Sequence, residues 1–281
     1  SENVHNVAIK GNFDDCQAII KSSFMDQTFV TPHRLLAVNS INLGRIMAQA
    51  VYFIYAGLRL GAMDRDIVFS VPSANFGDVF GGYIARQMGL PIAHFMVATN
   101  ANDALVRALR GDLSRKPLLK TLSPSMDIVV SSNFERLLFD LHQRNGTALR
   151  EVMNRFNREP VALSDKVVER ARKTFSAYAV DDGQTCQVIR SVFNTTGEYI
   201  DPHTATAICA SKFAPGEMTK IVLATAHPAK FPEAMEQAGF DQIPLPEDMA
   251  DIFGRKEKFT ILDNKIEDFH HFIRSVISTC S

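Results

Sequence analysis

The sequence has almost no net charge, few cysteines and no long hydrophobic run, and each shortage excludes a class of function. Its 30 basic side chains are matched by 31 acidic ones. Nothing in that balance favours a polyanion or an acidic membrane surface, so neither nucleic acid nor membrane is an expected partner. The charges are mixed along the chain and leave no charged tail. The four cysteines, Cys16, Cys186, Cys209 and Cys280, include no C-x-x-C pair. That spacing speaks against a zinc ribbon or a redox dithiol, and a reducing, cytoplasmic compartment is the simplest setting. The eight histidines are scattered, and the adjacent His270 and His271 point different ways on a helix, so no metal site is expected. The longest uncharged apolar stretch near a helix, residues 46–58, is too short for a membrane span and is interrupted by Gln49. It reads as a buried core helix. No signal-peptide pattern or initiator methionine opens the chain. Residues 4–9 already read as a strand, either a sheet edge or the first piece left after an upstream region.

What is present is a chain of 281 residues, 46% apolar, long enough for one large or two modest domains. Apolar periodicity and breakers predict a strand at 4–9 and a helix at 14–22, with a boundary at Pro32. One long helix is expected over 35–60, carrying the polar cluster Asn39, Ser40, Asn42 and Arg45 near its start. A strand at 67–71, a helix at 76–88, a strand at 92–98 and a helix at 102–110 follow. That alternation marks a parallel sheet with helices on its faces. Further along, helices are expected at 147–156, from Ser164 through Ser176, at 182–193, at 202–212 and at 266–277, with strands at 220–226 and 259–262. Without repeats or a Ser/Gly linker, one compact α/β unit is the expected architecture.

Ligands in such folds bind at the carboxyl ends of strands. Two strand ends carry suggestive chemistry. The first, SVPSANFGD (70–78), is a sharp turn into a helix without lysine or arginine. It is neither a P-loop nor a G-x-G-x-x-G fingerprint. Backbone N–H groups and the helix dipole could hold one phosphate there without a side-chain cation; the same residues also suit a plain capped turn. Asp78 fits a capping or loop-tuning role better than a ligand contact. The second strand end, LATAHPAKF (223–231), offers the neutral hydroxyl of Thr225, which could meet a heteroaromatic nitrogen without forcing its protonation. His227 there is either an acid–base group or a loop histidine bonded to backbone. The NSIN cluster (39–42) is either a helix-start network or ligand-facing. No G-x-S-x-G elbow is present, and Asp14-Asp15 and Asp181-Asp182 read as helix caps.

Four stretches, GNFDDCQ (11–17), NSIN (39–42), VPSANFGD (71–78) and TAHPAKF (225–231), together resemble threonine synthases of the bacterial and fungal type. ATNANDAL, SPSMDI, SSNFERLLF and DPHTA support the resemblance, which runs over nearly the whole chain. It implies the parallel-sheet, three-layer α/β fold of fold type II, tryptophan synthase β-like enzymes, incomplete at the N-terminus. Residues 1–32 would be a remnant of the small cofactor-side subdomain, and 33–281 the large α/β domain that binds pyridoxal 5'-phosphate. It implies conversion of O-phosphohomoserine and water to threonine and phosphate. Ser73, Ala74, Asn75, Phe76 and Gly77 would hold the cofactor's phosphate, and Thr225 would face its pyridine nitrogen. Asn42, Asn100 and Ser125 are weaker candidates for lining the substrate site.

Two departures from the family pattern matter. Ala74 stands where the family usually has glycine, which favours a positive φ or close phosphate approach and so implies weaker cofactor binding. The family's Schiff-base lysine, in a Phe-Lys-Asp motif, has no counterpart in this chain. The resemblance therefore implies no catalytic residue in this chain and a missing N-terminal segment of the same enzyme as partner. The chain alone is expected not to turn over substrate. The competing reading is a non-catalytic phosphate-binding, pyridoxal-phosphate-binding or interaction protein derived from the same fold. An unrelated phosphate-binding α/β protein is a third.

Overall fold

The computed structural model describes residues 3–279; Cys280 lies outside them. The chain opens with β1 (Val7–Ile9), α1 (Phe13–Met25) and α2 (Gln27–His33). α3 (Leu43–Arg59), β2 (Ile67–Pro72), α4 (Gly77–Gln87), β3 (Ile92–Thr99) and α5 (Ala104–Leu109) follow. Next come β4 (Asp112–Leu113), α6 (Phe134–Leu141), α7 (Gly146–Phe156), β5 (Val161–Ala162), α8 (Asp165–Arg172) and β6 (Phe175–Ala179). α9 (Asp182–Thr196), α10 (Pro202–Ser211), β7 (Thr219–Val222), α11 (Pro232–Gln237), β8 (Thr260–Leu262) and α12 (Ile266–Thr279) complete it.

Contacts divide these elements into two compact units, Ser1–Ala37 with Leu245–Ser281, and Val38–Pro244. This differs from the single unit, and from the division at 32/33, read from the sequence. The reason is a pairing between distant segments: β1 and β8 run parallel with Val7 opposite Thr260 and Ile9 opposite Leu262. In the same unit, Asn12 and Asp15 form a capping box at the start of α1. The His270 ring stacks on Phe29 at 3.5 Å between centroids. Ser23 donates its hydroxyl to the Ile19 carbonyl, so the 3.0 Å bond from His270 Nε2 to Ser23 Oγ has the imidazole as donor.

The larger unit is built on a four-stranded, all-parallel sheet in the order β6-β3-β2-β7. Every residue of β2 is buried, as expected where helices cover both faces of a parallel sheet. Side chains alternate between the faces. Phe69, Val71, Phe95, Val97 and Phe175 pack with Ile46 and Phe53 of α3 and Val79 of α4. Val68, Met96 and Ala98 pack on the opposite side with Ala207 and Ala210 of α10. The result is the three-layer α/β arrangement expected from the alternating pattern.

Three elements depart from the sequence reading. The long helix over 35–60 is a loop followed by α3, because short polar side chains recruit the local backbone. Asn39 Oδ1 accepts the Ile41 N–H at 3.0 Å, and Asn42 Oδ1 accepts the Gly44 N–H at 2.9 Å as N-cap. The helix from Ser164 stops at Arg172, and Phe175–Ala179 forms the edge strand β6 against β3. Pro32 lies inside the short α2, one residue before its end, and Arg34 leaves in the left-handed region at φ 49°.

Candidate functional site

The carboxyl ends of β2 and β7 open into a cavity of about 940 Å³ lined entirely by residues of the larger unit. Its volume suits a small molecule. The floor is the 73–78 turn. Ser73 continues the sheet by donating its N–H to the Ala98 carbonyl at 2.8 Å. Its hydroxyl donates to Asp78 Oδ1 at 2.7 Å and accepts the Phe76 N–H at 3.1 Å. Phe76 then takes φ 62°, ψ 8°, and α4 starts at Gly77.

Among the described residues, no acceptor meets the N–H groups of Ala74, Asn75 and Gly77. Successive N–H groups around a left-handed residue can form a concave nest, and such nests bind anions. The N-terminus of α4 adds its partial positive charge. Behind Gly77, the Asn133 side-chain nitrogen is buried without a partner, 3.7 Å from where a Cβ on Gly77 would lie. The turn therefore has more donors than the protein satisfies, as an oxyanion site requires.

The Asn75 side chain does a different job. Its Oδ1 accepts from the Ser132 N–H at 2.9 Å and from the Ser132 hydroxyl at 2.6 Å, and its Nδ2 reaches Ser40 Oγ at 3.4 Å. It ties three segments together. Ala74 is not among the residues with positive φ, and it is buried with Met126 and Ile128. The left-handed position of this turn is Phe76, two residues after the alanine.

Thr225 is exposed in the wall of the same cavity, three residues beyond β7. Ser125 lines it as well. Asn42 and Asn100 lie outside the lining. Asn42 caps α3, and Asn100 is buried in a polar cluster in which its Nδ2 reaches Thr121 Oγ1 and Asp127 Oδ1, each at 2.8 Å. That cluster fixes the loop after β3 to the Thr121–Asp127 segment. His227 accepts the Ala229 N–H at 3.2 Å and caps a short turn, the loop-histidine alternative of the sequence reading.

Among the cavity residues to which sequence reasoning gave no site role are the basic side chains Arg45, His203 and Lys230. His203 is nearly enclosed; its Nδ1 sits 2.8 Å from Asp201 Oδ1 and its Nε2 accepts the Ser125 N–H at 3.2 Å. Nδ1 therefore carries the hydrogen and donates a hydrogen bond to Asp201, the N-cap of α10. The signal was the D-P-H run at a helix start. The signal for Lys230 was its place in the TAHPAKF stretch with Thr225.

A family model described as "Threonine synthase, C-terminal" matches residues 204–273. The threonine synthase of Pseudomonas aeruginosa is 50% identical over 97% of this chain and 59% of its own length. That of Saccharomyces cerevisiae is 37% identical over 93% of the chain and 57% of its own length. A PLP-bound threonine synthase structure from Brucella melitensis superposes with a TM-score of 0.88 at 44% identity, covering 98% of this chain and 60% of that one. Over nearly its whole length the chain is similar to threonine synthases. The yeast threonine synthase structure agrees, with a TM-score of 0.85 at 34% identity over 99% of the chain. The chain spans about 60% of the length of the threonine synthases it matches.

Proposed function

We propose that this chain forms the cofactor-phosphate side of an enzyme that converts O-phosphohomoserine and water to threonine and phosphate, using pyridoxal 5'-phosphate. The carrying observation is the nest of unpartnered N–H groups at Ala74, Asn75 and Gly77, at the carboxyl end of a parallel sheet. In this reading Ser73, Ala74, Asn75, Phe76 and Gly77 surround the cofactor's phosphate, the Thr225 hydroxyl meets the pyridine nitrogen, and Ser125 lines the substrate's side. When bound, the cofactor supplies an electron sink for chemistry at the substrate's carbon atoms. The chain's own residues bind and orient. A hydroxyl at the ring nitrogen leaves that nitrogen unprotonated, because a hydroxyl donates a hydrogen bond without giving up its proton.

No Phe-Lys-Asp motif occurs in these 281 residues. We therefore assign the lysine that the chemistry needs to a segment outside them, and this chain alone does not turn over substrate. A cytoplasmic location accompanies this reading, and the free cysteines Cys16, Cys186 and Cys209 suit a reducing compartment. Among the described residues, no helix is long and apolar enough to cross a membrane.

The test is binding. Pyridoxal 5'-phosphate, followed by its absorbance, binds more tightly than inorganic phosphate or unphosphorylated pyridoxal, and Thr225→Val shifts the absorbance maximum of the bound cofactor. Borohydride reduction then labels no lysine stoichiometrically. Equal affinities for pyridoxal phosphate and phosphate would reduce the site to a general anion cradle. A single fully labelled lysine, with Lys230 the first to examine, would return catalysis to this chain.

A further inference from the structure

The 73–78 turn holds a carboxylate where an anion is to bind. Asp78 follows Gly77 at the start of α4 and lines the cavity together with Ser73, Ala74 and Gly77. A fixed negative charge there repels a second one, and the turn itself supplies no cation to screen the pair.

The two oxygens of Asp78 are used unequally. Oδ1 accepts both bonds, from the Ser73 hydroxyl at 2.7 Å and from the Val79 N–H at 2.8 Å. Among the described residues no other residue donates to Oδ2, which is not among the buried atoms left unsatisfied, and Asp78 is part of the cavity lining.

We propose that Asp78 takes up one proton when an oxyanion settles on the turn and presents that proton from Oδ2 to the anion. This rests on the reading of the turn as a phosphate cradle. The proton comes from solvent, converts the carboxylate to a carboxylic acid, and leaves when the anion leaves. Oδ1 keeps its two donors throughout, so the turn need not rearrange. Burial already pushes the Asp78 carboxyl above the usual range, against the Ser73 hydroxyl, the Val79 N–H and its own N–H, which pull it down. A dianion beside it pushes in the same direction as burial. The other charged or titratable side chains lining the cavity are Arg45, Tyr52 and Tyr55 from α3, His203 from α10 and Lys230 from the turn after β7, and none is bonded to Asp78. The ligand class is a dianionic oxyanion, free or carried by a cofactor.

Sulfate is the probe, because it stays a dianion between about pH 5 and 9 and its binding reports only the protein's protons. For the 281-residue chain, sulfate affinity falls by up to about tenfold per pH unit on the alkaline side, the slope of one linked proton. Calorimetry in buffers of different ionisation heat reads the same uptake directly. Asp78→Asn keeps an acceptor for Ser73 and Val79 and offers a permanent N–H donor. It binds sulfate at least as tightly as the native chain at the alkaline end, and the alkaline loss is abolished. Pyridoxal 5'-phosphate displaces sulfate at lower concentration than inorganic phosphate does, which separates a cofactor-borne phosphate from a free one. Sulfate binding without proton uptake by the native chain, or an unchanged slope in a folded Asp78→Asn chain, overturns the assignment to Asp78. Failure of both chains to bind sulfate, phosphate or pyridoxal phosphate instead overturns the cradle reading beneath it.

Discussion

Phe76 occupies a backbone conformation that large side chains avoid, at φ 62° and ψ 8°, and is nonetheless completely buried. The left-handed region costs an ordinary residue about 1–2 kcal/mol. The ring offsets this by packing edge-on to Phe134 at 5.3 Å and against Phe175 at 5.7 Å, a burial that contributes about 1.5–3 kcal/mol. The strained residue is thus pinned from the core, and the nest of N–H groups is preformed. Two truncations separate strain from packing. Phe76→Ala destabilises the fold by about 3–5 kcal/mol in urea unfolding. Phe76→Gly, which loses the same ring but accepts the left-handed backbone, is the milder of the two by about 1 kcal/mol. Equal losses would mean that the turn relaxes once the ring is gone. The position could not be read from the sequence. Residue type points to Ala74, the family's glycine position, or to Asn75. Here Ala74 packs its methyl with Met126 and Ile128, and Asn75 spends its side chain on Ser132 and Ser40.

At the scale of elements, α4 must lie close to both α3 and the sheet for the turn to point into the cavity. Gly81 and Gly82 permit that approach. A Cβ on Gly82 would fall 2.5 Å from Phe53 Cε1 and 2.6 Å from Phe95 Cε1, and one on Gly81 3.0 Å from the Ile46 carbonyl oxygen. By helix propensity alone, Gly82→Ala should stabilise by about 1 kcal/mol. The packed rings reverse the sign, and the substitution costs about 1–3 kcal/mol, read as a lower urea midpoint with an unchanged slope. A stabilised variant would show that Phe53 can swing away and that the approach is loose. β2, α4 and β3 were legible because apolar runs of strand length end in Gly, Pro and Asn. β6 was not, since a short stretch directly after an amphipathic helix becomes a strand only when β3 offers an edge to pair with. The NSIN loop was joined to α3 for the related reason that its asparagines turn the chain without interrupting the polar pattern.

For the whole molecule, the α/β class and the site at the strand ends followed from the alternation of elements, while the division into units did not. β1 pairs with β8 across some 250 residues of sequence, and nothing in either three-residue segment announces the other. The functional assignment likewise depends on distant pieces meeting: the 73–78 turn, Thr225 and His203 converge on one cavity from three parts of the chain. Its central claim is that backbone N–H groups, with no cation of the turn, hold the cofactor's phosphate. The most direct measurement is a titration of the ¹⁵N-labelled chain with pyridoxal 5'-phosphate, following every backbone amide by NMR. The account predicts that the Ala74, Asn75 and Gly77 amides shift most and downfield, that inorganic phosphate reproduces the same three shifts, and that unphosphorylated pyridoxal does not. Unmoved amides at these three positions, with the ligand's effects centred on lysines elsewhere, would contradict it.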